Sequence, residues 1–168
     1  MNELRLLTIL LVFIAFSGCT IGKNAGVEAF FCPQDACEER AVAAIKSAET
    51  DVDAAIYSFT SREIETALEE AARKGVRLRV VTDYLQSKSK YSVVNELAGK
   101  GIEVRVMPYN RTMHNKFLVV DNKLVITGSY NWTTNSDESN NENLVFIRDT
   151  ETAQRYSEEF FRLWVGAG

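Results

Sequence analysis

The sequence predicts an α/β domain with a mixed, largely parallel central sheet flanked by helices on both faces. Two patterns predict it. Segments with strand and helix periodicity alternate up to about residue 107, and short strands without long helices between them follow, before one last helix. The length, 168 residues, suits one ordinary domain. Residues 1–22 read as a targeting segment and 23–168 as the domain.

Taken in order, residues 27–31 (VEAFF) read as a first strand, and 36–48 place Ala41, Val42, Ala44, Ile45 and Ala48 at helical spacing. Residues 52–59 (VDAAIYSF) form a second strand. Thr60 or Ser61 then caps a helix with Ile64, Ala67, Leu68 and Ala71 on one face, ending at Gly75. Residues 77–82 (RLRVVT) alternate as a third strand; 92–100 are helical up to Gly101, and 103–107 (EVRVM) follow as a strand. In the second half, 116–120 (KFLVV) and 124–127 (LVIT) form a hairpin about Asp121-Asn122-Lys123. Residues 143–148 (NLVFIR) make the last strand. The helix over 151–165 offers Tyr156, Phe160, Phe161 and Trp164 to the core. No internal repeat is present.

The formal net charge is −4, so the whole-molecule field does not attract nucleic acid. Yet residues 73–116 carry 10 Lys and Arg against 3 Asp and Glu, a local +7. Solvated helix ends and strand edges account for such a run as readily as a binding surface does. Its position favours the latter, because it leads into His114, the one histidine of the chain, and a phosphate-bearing partner fits there.

A polar start with Arg5 precedes the apolar run 6–16 (LLTILLVFIAF), which ends at Ser17-Gly18-Cys19. This is the pattern of a secretory signal, and the run is short for a membrane span. Small residues before Cys19 resemble a lipobox, with Phe16 where an aliphatic residue is usual; acylation of Cys19, a plain signal peptide and an uncleaved anchor all remain open. The expectation is an exported protein, either a membrane-anchored lipoprotein or a secreted or periplasmic one. In an oxidising compartment Cys32 and Cys37 can close a small disulfide loop, the alternative being two buried thiols. A zinc site needs about four ligands, and this set is too small, so no metal or other cofactor is expected.

His114 and Lys116 lie two residues apart at the start of a strand, so both project from one face. Imidazole is a nucleophile at neutral pH, and a fixed cation beside it offsets phosphate charge. Alone, His-x-Lys is a weak signal. Beyond it, Gly128 permits close backbone approach, while Ser129 and Asn131 offer donors to phosphate oxygens. The whole spacing, His-x-Lys-x4-Asp-x6-Gly-Ser-x-Asn, resembles the signature of the phospholipase D superfamily in full. The segments Ala55-Ile56-Tyr57-Ser58-Phe59-Thr60 and 75–83 (GVRLRVVTD) are similar to its small single-motif members, secreted bacterial endonucleases and mitochondrial cardiolipin/piRNA-type enzymes. The resemblance spans roughly residue 27 to the end.

It implies the phospholipase D/nuclease fold and a metal-independent, two-step phosphodiesterase. His114 attacks phosphorus to give a phosphohistidine, and a second histidine protonates the leaving oxygen and then activates water. Lys116, Ser129 and Asn131 hold the non-bridging oxygens. Glu142, carried over from the acidic segment after the motif, orients the histidine. Asp121 completes the motif, but five residues from Lys116 it points from the opposite face; a turn former or hydrogen-bond acceptor fits it as well as a catalytic role does. With one histidine per chain, the second imidazole must come from another copy, so the resemblance and the sequence together imply a homodimer with a shared active site. The leading substrate is DNA or RNA. The alternative is a phospholipid, which a membrane anchor favours and the lack of an obvious apolar loop disfavours; a non-catalytic binding module comes last.

Overall fold

A computed structural model describes residues 26–168, so the targeting segment expected over 1–22, with Cys19, lies outside the described residues. The chain runs β1 (Gly26–Cys32), α1 (Cys37–Lys46), β2 (Asp51–Ile56), α2 (Arg62–Arg73), β3 (Arg77–Thr82), α3 (Tyr84–Ser87), α4 (Val94–Leu97) with a 3-10 turn (Ala98–Lys100), β4 (Glu103–Val106), β5 (Lys116–Val120), β6 (Leu124–Gly128), α5 (Thr134–Glu138), β7 (Glu142–Arg148) and α6 (Thr150–Gly166). Seven strands form one sheet in the order β1-β7-β6-β5-β2-β3-β4.

The α/β class and the mixed sheet are as expected, but the sheet is not largely parallel. Only β2–β3 and β3–β4 pair in parallel; the other four pairings are antiparallel. The reason lies in the connections. Helical crossovers return β2, β3 and β4 in one direction, whereas the β5–β6 hairpin and the long returns place the remaining strands head to tail. The expected 92–100 helix is likewise shorter and tightens into a 3-10 turn, with Gly99 inside it weakening the helix.

Strand alternation divides the core between two layers. Val52, Ala54 and Ile56 of β2 face α1 and α2, where they pack with Ile45, Ile64 and Leu68. Ala55 faces the other way with Phe117, Val119 and Val125, beneath Phe160, Leu163 and Trp164 of α6. Ser61 caps α2 as its residue type suggests, its Oγ accepting from Ile64 N at 3.0 Å. Asp53 is buried on the α6 side, its carboxylate held by Arg79 through two hydrogen bonds of 2.8 and 2.6 Å. The hairpin turn carries positive φ at Asp121 (53°) and Asn122 (51°), a primed geometry that short Asx side chains tolerate.

Candidate active site

Register puts the motif residues other than Asp121 at one end of the sheet. Ile56 pairs with Lys116, Phe117 with Thr127, Gly128 with Leu144, and Cys32 with Glu142. The C-terminal ends of β2, β3 and β6 therefore meet the beginnings of β5 and β7. The parallel strands β2–β4 end here too, at the edge where open α/β sheets bind ligands.

His114 precedes β5 in an irregular segment and is exposed, although Met113 beside it is buried. Asp83 fixes that segment. Its Oδ2 accepts from Met113 N at 3.2 Å while Oδ1 caps α3 through Leu85 N and Gln86 N. Asn115 O accepts from Tyr57 N at 3.0 Å, tying the segment to the end of β2. The Lys116 Nζ sits 3.2 Å from His114 Nδ1, 3.5 Å from Nε2 and 2.8 Å from the His114 carbonyl. The Tyr57 ring lies 4.5 Å from the imidazole, centre to centre, and 5.0 Å from the same ammonium. Burial lowers the Lys116 pKa, and the Glu142 carboxylate opposes that shift without cancelling it.

Ser129 and Asn131 follow β6 in a loop tied to both neighbours. A Cβ on Gly128 would collide with the Asn143 carbonyl, so only glycine lets β6 approach β7 this closely. Ser129 Oγ donates to Glu142 Oε2 and accepts from Asn143 N at 3.1 Å. Asn131 Oδ1 accepts from Ser58 N at 3.3 Å, leaving its amide NH2 for a ligand. Glu142 Oε1 accepts from Asn140 Nδ2 at 3.1 Å. Within the chain Glu142 therefore hydrogen-bonds to Ser129 and Asn140, and its charge acts on Lys116. Among the described residues no group of three or more His, Cys, Asp or Glu side chains is placed to hold a metal ion.

The structure does not bring Asp121 to this site. It stands at the far end of β5, where its carboxylate accepts from Glu49 N, Thr50 N, Thr50 Oγ1 and Asp51 N. Turn former and acceptor is therefore the role its geometry gives it. Burial raises its pKa, but these donors outweigh burial and hold the carboxyl below its ordinary range. Cys32 and Cys37 are joined as a disulfide, with Cα atoms 5.7 Å apart.

The basic stretch also divides. Arg73, Arg77, Arg79 and Lys100 are taken by carboxylates of α2 and β2. Lys88, Lys90 and Arg111 lie in the loops at the site end. Two features escaped the sequence reading. Tyr57 had no role there beyond its place in the strand over 52–59 and in the segment 55–60 that carries the resemblance. The rim about α3, with Leu85 62% and Tyr109 72% exposed, joins residues far apart in the chain. Tyr57 and Asn131 also border a cleft of about 760 Å³, which is lined as well by Gln86, Lys90 and Tyr91.

A family model described as cardiolipin synthase, PLD-like domain, matches residues 41–164. Mitochondrial cardiolipin hydrolase of Mus musculus is 36% identical over 125 residues, which are 74% of this chain and 57% of that protein. A phospholipase D of Rickettsia prowazekii is 34% identical over 139 residues, 83% of this chain and 68% of its own length. The crystal structure of Nuc from Salmonella typhimurium, a phospholipase D family member, superposes with a TM-score of 0.81 at 30% identity, covering 86% of this chain and 97% of Nuc. The chain spans little more than half the length of the mouse relative.

Proposed function

The chain belongs to the phospholipase D superfamily and is a phosphodiesterase of that class; we propose that it cleaves DNA or RNA backbones without a metal ion, through a phosphohistidine at His114. The observation that carries this reading is the exposed His114 ring with the Lys116 ammonium 3.2 Å from Nδ1. An imidazole nitrogen attacks phosphorus, the N–P bond forms, and the bond to the leaving oxygen breaks. Lys116 and the free amide of Asn131 neutralise the charge that grows on the non-bridging oxygens. Ser129 orders the loop and offers a further donor once Glu142 releases it.

The leaving oxygen needs a proton, and water must later lose one as it breaks the N–P bond. His114 of a second copy supplies that acid and base, so the active unit is a two-fold homodimer. Export, with or without acylation of Cys19, would place this unit outside the cytoplasm or on a membrane.

A second reading, hydrolysis of phospholipid head groups, is favoured by the exposed Leu85 and Tyr109 at this end and by the names of the mouse and Rickettsia relatives. The full chain, assayed in EDTA on single- and double-stranded DNA, RNA and phospholipid vesicles, separates the two. Nucleic acid cleavage is expected. Hydrolysis of lipid alone rejects the substrate, and loss of all activity in EDTA rejects the metal-free step. A heterodimer of wild type with His114→Asn is expected to be inactive; retention of half the activity rejects the shared site.

A further inference from the structure

The cleft that begins at Tyr57 and Asn131 ends at two residues with no part in the chemistry, Lys90 and Tyr91. Tyr91 is 66% exposed, which is unusual for a ring that lines a cleft. The Lys90 ammonium lies 4.8 Å from its ring centre, over one face. The link to the site is explicit: Gln86 Nε2 donates to Tyr57 Oη at 3.1 Å, and the Tyr57 ring lies against His114. Further along the rim, the Tyr84 and Tyr109 rings meet edge to face at 5.5 Å, with Lys88 5.5 Å from the Tyr84 ring centre. Aromatic faces thus alternate with cations that form no ion pair among the described residues.

We infer that this cleft is a subsite for the unpaired nucleotides next to the scissile phosphate, with Tyr91 stacking on a base and Lys90 holding the neighbouring phosphate. This rests on the nuclease reading and narrows it to single strands. Every base has a π-face, so stacking tolerates any sequence, but in a duplex that face is covered by the adjacent base pair. The cleft walls argue against a lipid tail. Ser58, Gln86 and Asn131 present hydroxyl and amide groups, whereas an acyl chain needs apolar walls.

Binding tests the subsite without relying on turnover. The full chain carrying His114→Asn is titrated, by anisotropy, into a fluorescent single-stranded 12-mer, the matching duplex, and a 12-mer of abasic deoxyribose phosphates. Adding Tyr91→Ala is expected to raise Kd for the single strand about 5- to 150-fold, the range one base–aromatic stack implies, and to leave the duplex within about twofold. Tyr91→Trp is expected to keep the affinity. The abasic strand binds the Tyr91-containing protein more weakly by a similar factor, and this difference shrinks once Tyr91 is gone; it needs no folding-sensitive comparison, since the two strands meet one protein. Lys90→Ala lowers the slope of log Kd against log salt by about 0.7, one phosphate contact on a single strand. Equal losses on single strand and duplex, no loss on either, or a loss confined to anionic phospholipid vesicles each overturns the subsite. Hydrolysis of bis(p-nitrophenyl) phosphate by the wild type, abolished by His114→Asn, reports on the nuclease chemistry separately.

Discussion

Asp121 completes the sequence motif, yet its geometry assigns it to folding, and the two roles separate in one pair of variants. Its carboxylate accepts from three backbone N–H groups and the Thr50 hydroxyl, at 2.8 to 3.0 Å, and joins the β5–β6 turn to the start of β2. Asp121→Ala strands all four donors. Water recovers part of that at a half-exposed site, and alanine adds about 1 kcal/mol for a residue held at positive φ. The loss is expected to total ~3 kcal/mol, or about 6–12 °C in Tm for a domain of this size. Asp121→Asn keeps an amide oxygen and tolerates the backbone, so its loss is ~1 kcal/mol, about 2–4 °C. Both variants should keep kcat within about twofold of wild type when assayed well below their midpoints. Because the folded carboxyl titrates below its ordinary range, its stabilisation is present above the unfolded value of about 3.9 and fades as pH falls through the folded one. The gap between wild type and Asp121→Asn in urea midpoint should therefore be full at pH 7 and shrink below about pH 4. A 100-fold fall in kcat for Asp121→Asn, with an unchanged midpoint, refutes this account and returns the residue to the chemistry.

Three further expectations follow from the same contacts. Burial lowers the Lys116 pKa while Glu142 opposes it, so Glu142→Gln should move the alkaline limb of kcat/KM to lower pH; a limb that stays or rises shows that the ammonium does not control it. Gly128→Ala should cost about 1–3 kcal/mol, since the new Cβ meets the Asn143 carbonyl, and a urea midpoint equal to wild type contradicts that packing. Asp53→Ala leaves the part-buried Arg79 guanidinium without its partner and should cost about 1–3 kcal/mol, whereas replacing both residues with apolar ones should cost less; equal losses would mean that the pair itself, not the orphaned charge, sets the stability.

Local spacing made His114, Lys116, Ser129 and Asn131 legible in the sequence, because a strand start and a glycine-led loop both carry their chemistry within a few residues. The hairpin about Asp121 and the Ser61 cap were legible for the same reason. Strand order was not. β1 pairs with β7 across the whole chain, and nothing in residues 27–31 records a partner beyond residue 140, so strand–helix alternation up to residue 107 predicts more parallel pairing than the sheet has. The place of Tyr57 was not legible, because an aromatic side chain near a strand end has the same signature whether it enters the core or stands beside an imidazole. The partner of Glu142 depended on a loop bend at Gly128 that spacing alone does not encode.

Charge gives the sharpest case of sequence proximity misleading about space. The ten cations of residues 73–116 are one run in the chain, but the sheet sorts them by which end of a strand they occupy. Lys74 and Arg77 lie where β3 begins, Arg79 is paired under α6, and Lys100 is paired against α2. Lys88, Lys90, Arg111 and Lys116 occupy the loops and strand start at the opposite end, where a phosphate would meet His114. A negatively charged chain can therefore draw in an anionic polymer without a basic surface overall. The field that matters is set by a few unneutralised charges around His114, and at distances beyond the Debye length of about 10 Å in 0.1 M salt the acidic remainder is largely screened. Below that salt the remainder is felt again, so lowering salt strengthens the local attraction and the global repulsion together. The salt response of substrate capture should then flatten at low ionic strength, where a uniformly basic nuclease would keep gaining.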